Sequence, residues 1–250
     1  MVHARSVRLA AVIVLGGAVA LAATGCGGPM QAGAAAVIQG ERTSDRDVQS
    51  DVASVVSMVE RAGLTQGAGV SDSQRAALAK AQISLLVQEA MWQKVADDLG
   101  VSVGPDADAK QYSVLVTSAR ATLGAKFTGS DNEAVALADI ETQQASGVAP
   151  SVVPVFVHTK ALANAVVTSQ ATQLGIDPNA NANDGSGQKL QDAIGALLQK
   201  AAAEIDVKVS PRYGAFDPKN GQIVQAATSW IRSTNDQLAA QQQQQQQQPQ

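Results

Sequence analysis

Apolar side chains recur at the spacing of α-helices along most of the chain. Ser44 is placed to cap a first helix, with Asp47 three residues further on, and a stripe of five valines follows it. A longer helix is predicted to about Leu99, with Ser71 as its cap and Gln74 at the third helical position. Its apolar face is wide enough to indicate a central helix buried on several sides. The stripe of the first helix comprises Val48, Val52, Val55, Val56 and Val59.

Four more helices are predicted downstream by prolines and capping residues. Pro105 suits the first turn of one helix, and Ser130 is placed to cap the next, with Glu133 at the third helical position. Pro154 marks either the first turn of another helix or a kink in it. Ser186 is placed to cap the last helix.

Two short segments, one near each end of the helical body, have the pattern of strands. Residues 34–39 form a brief apolar run, and residues 205–210 alternate between apolar and polar side chains. We expect residues 35–39 to pair with residues 205–210, which would join the two ends of the body. The predicted fold class is therefore mainly α, a multi-helix body with a small two-stranded β pairing between its first and last segments.

The N-terminus has the features of a secretory signal peptide. Arg5 and Arg8 precede an uncharged apolar run and then small residues. The only cysteine, Cys26, follows in a setting that resembles a bacterial lipobox, although Ala23 stands where that pattern prefers leucine. The resemblance implies cleavage before Cys26 and its lipidation, which would anchor the protein to the extracytoplasmic face of the cell membrane. The alternative is an ordinary signal peptide with an incidental cysteine.

Five regions follow from this interpretation. The signal peptide is residues 1–25, a lipidated tether is residues 26–33, and the helical body is residues 34–218. A C-terminal extension covers residues 219–238. The glutamine-rich tail, residues 239–250, is predicted to be disordered because it has almost nothing apolar to bury.

Charge and chemistry narrow the possible functions. The formal net charge is −4, which does not favour nucleic acid or an anionic lipid surface as partner. His158 stands on a predicted helix with no carboxylate or cysteine at ligand spacing, and Asp97 and Asp98 are adjacent and so point to different faces. Nucleotide-binding glycine motifs and the nucleophile-elbow motif are absent from the sequence. We therefore expect no catalytic residues, no metal, no cofactor and no small-molecule substrate.

The order of these elements resembles the N-terminal chaperone module of SurA-type periplasmic chaperones and related extracytoplasmic foldases. The likeness lies in AAVIQG at residues 35–40, LGVSV at residues 99–103 and the closing VKVSPRYGAFDP at residues 207–218. Some members insert a parvulin-type isomerase domain before the final helix, but residues 175–186 are too few to hold one. The resemblance implies a non-catalytic chaperone-like module that binds unfolded or exported proteins. A scaffold for one specific partner is the alternative, and a prolyl isomerase is less expected.

Two sets of residues are candidates for a role in this function. The first set would line a client-binding groove, although plain core packing is the alternative for its helical members: Val55, Met58, Val87, Met91 and Trp230. The second set is the closing segment, which we expect to complete the fold rather than to form a site. Its aromatic side chains would cap the core, its arginine would pair with a carboxylate, and its proline and glycine would form turns: Pro211, Arg212, Tyr213, Gly214 and Phe216.

Overall fold

The computed structural model describes residues 32–64, 69–143, 147–181 and 184–226. The predicted signal peptide, Cys26, Trp230 and the glutamine-rich tail lie outside these ranges. The helices are α1 (Asp45–Arg61), α2 (Asp72–Leu99), α3 (Pro105–Leu123), α4 (Asp131–Gln143), α5 (Val153–Leu174) and α6 (Gly185–Glu204). The strands are β1 (Ala34–Ile38), β2 (Glu41–Ser44), β3 (Val207–Val209), β4 (Ala215–Asp217) and β5 (Gln222–Val224).

Three helices begin at the capping residues that the sequence predicts. The Ser44 side chain accepts a hydrogen bond of 3.1 Å from the third backbone amide of α1. Ser71 and Gln74 form a reciprocal capping box at the start of α2. Ser130 and Glu133 exchange the same two bonds at the start of α4, at 3.2 and 2.9 Å. These local bonds satisfy amides that have no partner within the helix.

The last helix begins earlier than the sequence predicts, because its cap is Asp184 and not Ser186. The Asp184 carboxylate accepts bonds from the backbone amides of Ser186 at 2.9 Å and Gly187 at 2.7 Å. A carboxylate that reaches two amides is a stronger cap than a hydroxyl that reaches one. Pro154 lies in the first turn of α5, which decides between the two positions that the sequence leaves open.

The predicted pairing of the two ends of the body is confirmed. Strand β1 pairs antiparallel with β3, which places Ala36 opposite Val209 and Ile38 opposite Val207. Strand β2 pairs with the other edge of β1, so the sheet has three strands and not the predicted two. The β1–β2 turn has φ values of 51° at Gln39 and 85° at Gly40, as two-residue hairpin turns require.

A second small sheet begins within the closing segment. Strands β4 and β5 form an antiparallel hairpin with Phe216 opposite Ile223, and Ile223 is buried. The hairpin crosses the predicted boundary at residue 218, because its second strand is residues 222–224. The ordered body therefore extends beyond the segment that the sequence marks as its end.

Helix α2 is central, as its wide apolar face predicts, and packs against α1, α5 and α6. Two core clusters lie on different sides of it. One cluster contains Ile83 and Leu162 and joins β1, α1, α2, α5 and α6 to the closing segment. The other contains Leu137 and Val153 and joins α1, α2, α3, α4 and α5. Mainly aliphatic side chains fill both clusters, as the low aromatic content requires.

Among the described residues, one segment, Pro150–Leu174, is long and apolar enough to cross a membrane by length and composition. In the fold this segment is α5 with the turn before it, and it packs against α2 and α3. Its residues Val153, Leu162 and Val166 are buried. These contacts bury part of its apolar surface within the fold.

Candidate functional site

Four of the predicted groove residues lie in the core. The exposed fractions are 0% for Val55, 3% for Met58, 1% for Val87 and 7% for Met91. They are buried because the apolar faces of α1 and α2 pack against each other and against the neighbouring helices. Val55 and Met58 border two different clefts, so the four residues do not line one shared groove, and packing accounts for their burial. The fifth candidate, Trp230, lies outside the described residues.

The closing segment joins the first core cluster through Tyr213. This side chain is buried, and its hydroxyl donates a hydrogen bond to Asp45 at the start of α1. The same hydroxyl accepts a bond of 2.8 Å from the Gln49 side-chain amide. Burial and then the bond to Asp45 raise the pKa of the Tyr213 phenol, so it remains a protonated donor. The expected carboxylate partner of Arg212 is also Asp45, at 3.2 Å.

The backbone of the closing segment is tightly constrained. The turn after β3 is closed by a bond of 2.8 Å from the Tyr213 amide to the Ser210 carbonyl, and Pro211 lies inside this turn. Gly214 has φ 130°, and a side chain there would collide with the Val224 carbonyl oxygen of the hairpin. Phe216 is half-buried and packs against the first core cluster. The residues of this segment thus have packing and bonding partners within the described chain.

An open cleft of about 490 Å³ lies between α2 and α5, and we call it the α2–α5 cleft. The rings of Trp92 and Phe156 are half-buried within its lining, so part of each ring faces solvent. A half-exposed aromatic surface of this kind is available for contact with a ligand. The apolar part of the lining consists of Ala77, Ala81, Leu85, Trp92, Val148, Phe156 and Ala163.

Gln82 and Gly147 build one end of this cleft. Gln82 is 3% exposed, and its side-chain amide donates to the Gly147 carbonyl and accepts a bond of 3.3 Å from the Ala149 amide. A side chain at Gly147 would collide with Leu78, so the backbone of residues 147–149 approaches α2 closely. The buried amide therefore fixes this segment beside the cleft.

Two lysines lie in the lining, one on each helix. Lys80 on α2 and Lys160 on α5 are exposed, and neither forms an ion pair within the described ranges. The Lys160 ammonium lies 5.2 Å from the centroid of the Phe156 ring, a cation–π distance. Asp139, the acidic residue of the lining, is 7% exposed and has an interaction of its own. The exposed charge of the cleft is therefore positive.

A second cleft, of about 620 Å³, adjoins the closing segment and shares Lys80 with the first. Its walls consist mainly of alanines and of charged side chains such as Arg75 and Asp72. Its aromatic member, Tyr213, already has both hydroxyl bonds satisfied. The α2–α5 cleft therefore offers the greater unoccupied aromatic surface.

His158 has a carboxylate neighbour that the sequence did not indicate. Its Nδ1 lies 3.0 Å from the Asp108 carboxylate, which comes from α3, fifty positions away in the chain. His158 also affects a second carboxyl group, that of Glu89 on α2. Burial raises the pKa of Glu89, and the charge of His158 partly opposes this rise. Among the residues that the structure describes, no group of three or more His, Cys, Asp or Glu side chains could hold a metal ion. The contact is best explained as part of the packing of α3 against α5.

Sequence reasoning missed the cleft lysines and Phe156. Phe156 and Lys160 stand four positions apart on one helix, which places them on the same face. That spacing is the one feature of the local sequence that indicates this part of the cleft. Trp92, on the apolar face of α2, contacts the first core cluster and is only partly buried.

Comparison of the chain with protein-family models, with curated proteins and with solved structures found no match in any of the three.

Proposed function

We propose that the protein is a membrane-tethered extracytoplasmic module that binds exported or unfolded polypeptide segments in the α2–α5 cleft without catalysis. The observation that carries this proposal is the cleft itself, an open space of about 490 Å³ beside two partly exposed aromatic residues. Concave sites with an apolar lining and a few polar groups are the usual form of ligand sites in proteins.

The cleft lining suits an extended polypeptide better than a compact small molecule. Trp92 and Phe156 offer flat apolar faces for side chains, and the exposed Gln88 amide is available to the polar backbone of a bound segment. The cleft is open to solvent rather than enclosed, so a segment of a longer chain can enter it. Weak, tolerant binding is expected from such a surface.

The predicted lipid tether gives the proposed location of the protein, and the resemblance to SurA-type modules gives the proposed class of activity. Lipid on Cys26, followed by residues 27–33, would hold the helical body near the membrane in the compartment where exported chains emerge unfolded. The resemblance to SurA-type modules is part of this proposal, and the helical order and the β1–β3 pairing are compatible with it. Helices α5 and α6 are joined by residues 175–184, and this connection is too short to hold an inserted isomerase domain. Clear turnover of a prolyl peptide would contradict the non-catalytic part of the proposal.

Suppression of aggregation tests the binding activity. The purified protein, added at equimolar ratio to a refolding exported protein, should reduce light scattering. Ala163→Trp should abolish this effect, because it places a large side chain inside the cleft. Ala121→Trp is the matched control, since Ala121 is exposed on α3 and is not part of the cleft. The proposal fails if the wild type does not suppress scattering, or if a folded Ala163→Trp variant suppresses it equally well.

The two lysines of the cleft lining, Lys80 and Lys160, favour a second candidate function, that of an adaptor that binds one partner protein. Charged groups at fixed positions add selectivity to an apolar site. Pull-down with the tethered protein should then recover one protein reproducibly, and an excess of unrelated unfolded chain should not displace it. Displacement by the unrelated chain would favour the chaperone-like function.

Replacement of the cysteine tests the anchor separately. Cys26→Ser should move the protein from the membrane fraction to the soluble extracytoplasmic fraction, because the lipid has no other attachment point in a chain with one cysteine. A variant that stays in the membrane fraction would contradict lipidation as the anchor.

A further inference from the structure

We propose that the α2–α5 cleft selects polypeptide segments in which an aromatic or branched aliphatic residue is flanked by acidic residues. This inference rests on the proposed function, because it names the chemistry of the polypeptide that the cleft would bind. It depends on the placement of Lys80 and Lys160 relative to the two rings.

The lysines contribute positive charge from both helices of the cleft. Lys80 comes from α2 and Lys160 from α5, and both ammonium groups are without an ion pair within the described ranges. The one acidic side chain of the lining, Asp139, is buried and already has a partner. A bound segment with carboxylates would therefore meet two available cations and no exposed anion in the lining.

The aromatic rings determine which type of residue a bound segment should have between its acidic residues. Phe156 and Trp92 leave part of their faces open, and the Lys160 ammonium stays close to the Phe156 ring at 5.2 Å. A bound apolar side chain that contacts the Phe156 ring brings its neighbouring residues near the Lys160 ammonium, while Lys80 lies further along α2. The cleft thus combines an apolar contact with charge contacts on the two helices.

The other side of α2 has the opposite charge. There a cleft of about 330 Å³ is lined by Glu41, Glu89 and Asp97, and its lysine, Lys94, is paired with Asp98 and Glu204. An acidic segment would be repelled from that surface and attracted to the α2–α5 cleft. Charge thereby distinguishes two apolar-lined clefts on the same helix.

A polypeptide fits these charges better than a nucleic acid or an anionic membrane. Two lysines neutralise few phosphates, and the whole chain carries a formal net charge of −4. A short acidic stretch of polypeptide needs only two such contacts beside its apolar residue. The observations therefore favour a peptide ligand of the stated chemistry.

Peptide binding followed by fluorescence anisotropy tests this inference. Three labelled ten-residue peptides share a central Leu-Phe-Val and differ only in their flanks, which are glutamate, glutamine or lysine. We expect the glutamate peptide to bind about three- to tenfold more tightly than the glutamine peptide, as two exposed ion pairs allow. The lysine peptide should bind most weakly. The difference should shrink when the salt concentration rises from 50 to 500 mM, roughly from a 14 Å to a 4 Å Debye length.

Two double variants locate the effect. Lys80→Gln with Lys160→Gln should bind the glutamate and the glutamine peptides with equal affinity. Lys110→Gln with Lys189→Gln is the control, because these lysines are also exposed and lie outside the cleft. This control changes the net charge equally and should keep the preference.

The outcomes separate this inference from the proposed function. Equal binding of the three peptides, or a preference that survives in the Lys80 and Lys160 double variant, overturns the charge selection alone. Failure of all three peptides to bind overturns the proposed function together with it. Tighter binding of a single-stranded oligonucleotide or of phosphatidylglycerol vesicles than of the glutamate peptide overturns the choice of a polypeptide ligand.

Discussion

The closing segment and the α2–α5 cleft both contain aromatic and cationic side chains, and these side chains have different roles in the two regions. In the closing segment, the Tyr213 hydroxyl bonds both Asp45 and Gln49, and Arg212 pairs with Asp45. In the α2–α5 cleft, the Trp92 and Phe156 rings are half-exposed and the two lysines make no ion pair in the described parts of the chain. The same residue types thus have internal partners in one region and face solvent in the other.

The difference indicates how to separate a closing element from a binding surface. A buried polar group with all its bonds made inside the protein contributes to stability, and its removal leaves partners unsatisfied. An exposed charge beside an apolar surface contributes little to stability and remains available to a ligand. Substitutions should therefore reduce stability in the closing segment and reduce binding in the cleft.

The largest effect is expected for Tyr213→Ala. Loss of a buried ring together with its bonds to Asp45 and Gln49 should lower the free energy of unfolding by about 2–4 kcal/mol. Urea unfolding followed by circular dichroism measures this loss. Unchanged stability together with loss of peptide binding would show that the closing segment is a site, and the comparison would fail.

Gly214→Ala should follow, with a loss of about 2 kcal/mol. The substitution imposes a side chain on a φ of 130° and directs it at the Val224 carbonyl oxygen. The same unfolding measurement applies, and Gly195→Ala in α6 is a suitable control. A side chain at Gly195 meets nothing nearby, and alanine favours a helix. A Gly214→Ala variant as stable as the control would remove the argument for backbone constraint in the closing segment.

Glu89→Gln should give a smaller effect of the opposite sign. Burial raises the pKa of Glu89 in the folded state, so this carboxyl favours folding when it is protonated and opposes folding once it ionises. The stabilising contribution is present at acid pH below the unfolded pKa and is lost as pH rises through the raised folded pKa.

The glutamine variant should therefore be more stable than the wild type at pH 7 and nearly equal to it at pH 4. Thermal unfolding at both pH values measures the two differences. A variant that is less stable at pH 7 would show that the contact of Glu89 with the charge of His158 outweighs burial.

The smallest effect on stability is expected for the cleft lysines. Lys80→Gln with Lys160→Gln should change the free energy of unfolding by less than about 0.5 kcal/mol, as for most exposed positions. Calorimetry on the variant and the wild type makes the comparison. A loss of 2 kcal/mol would place these lysines with the closing segment as structural residues.

Local signals in the sequence accounted for much of the fold. Ser71 and Gln74 marked a helix start because a capping box is formed within four residues. The β1–β3 pairing followed from two strand patterns at the ends of a helical body. Strand β2 was missed because Glu41–Ser44 is polar, and its pairing depends on the turn at Gln39 and Gly40.

Less of the candidate site than of the fold could be predicted from the sequence, and the reason is physical. Val55 and Met91 were proposed for a groove because they are apolar and lie on a helix face, but that face is also the one that packs into the core. Whether such a face is covered depends on contacts between distant segments. The contact between Asp108 and His158 is of this kind, and so is the packing of α5 beside the face of α2 that carries Lys80.

Site-specific photo-crosslinking tests the central distinction most directly. A photo-reactive amino acid is placed at Gln88 in the α2–α5 cleft, or at Gln225 beside the closing segment, since both positions are exposed. The protein is then irradiated with an unfolded exported protein. Crosslinked product is predicted from position 88 and not from position 225. Product from position 225 with none from position 88 would contradict the assignment of binding to the cleft and of closure to the segment around Tyr213.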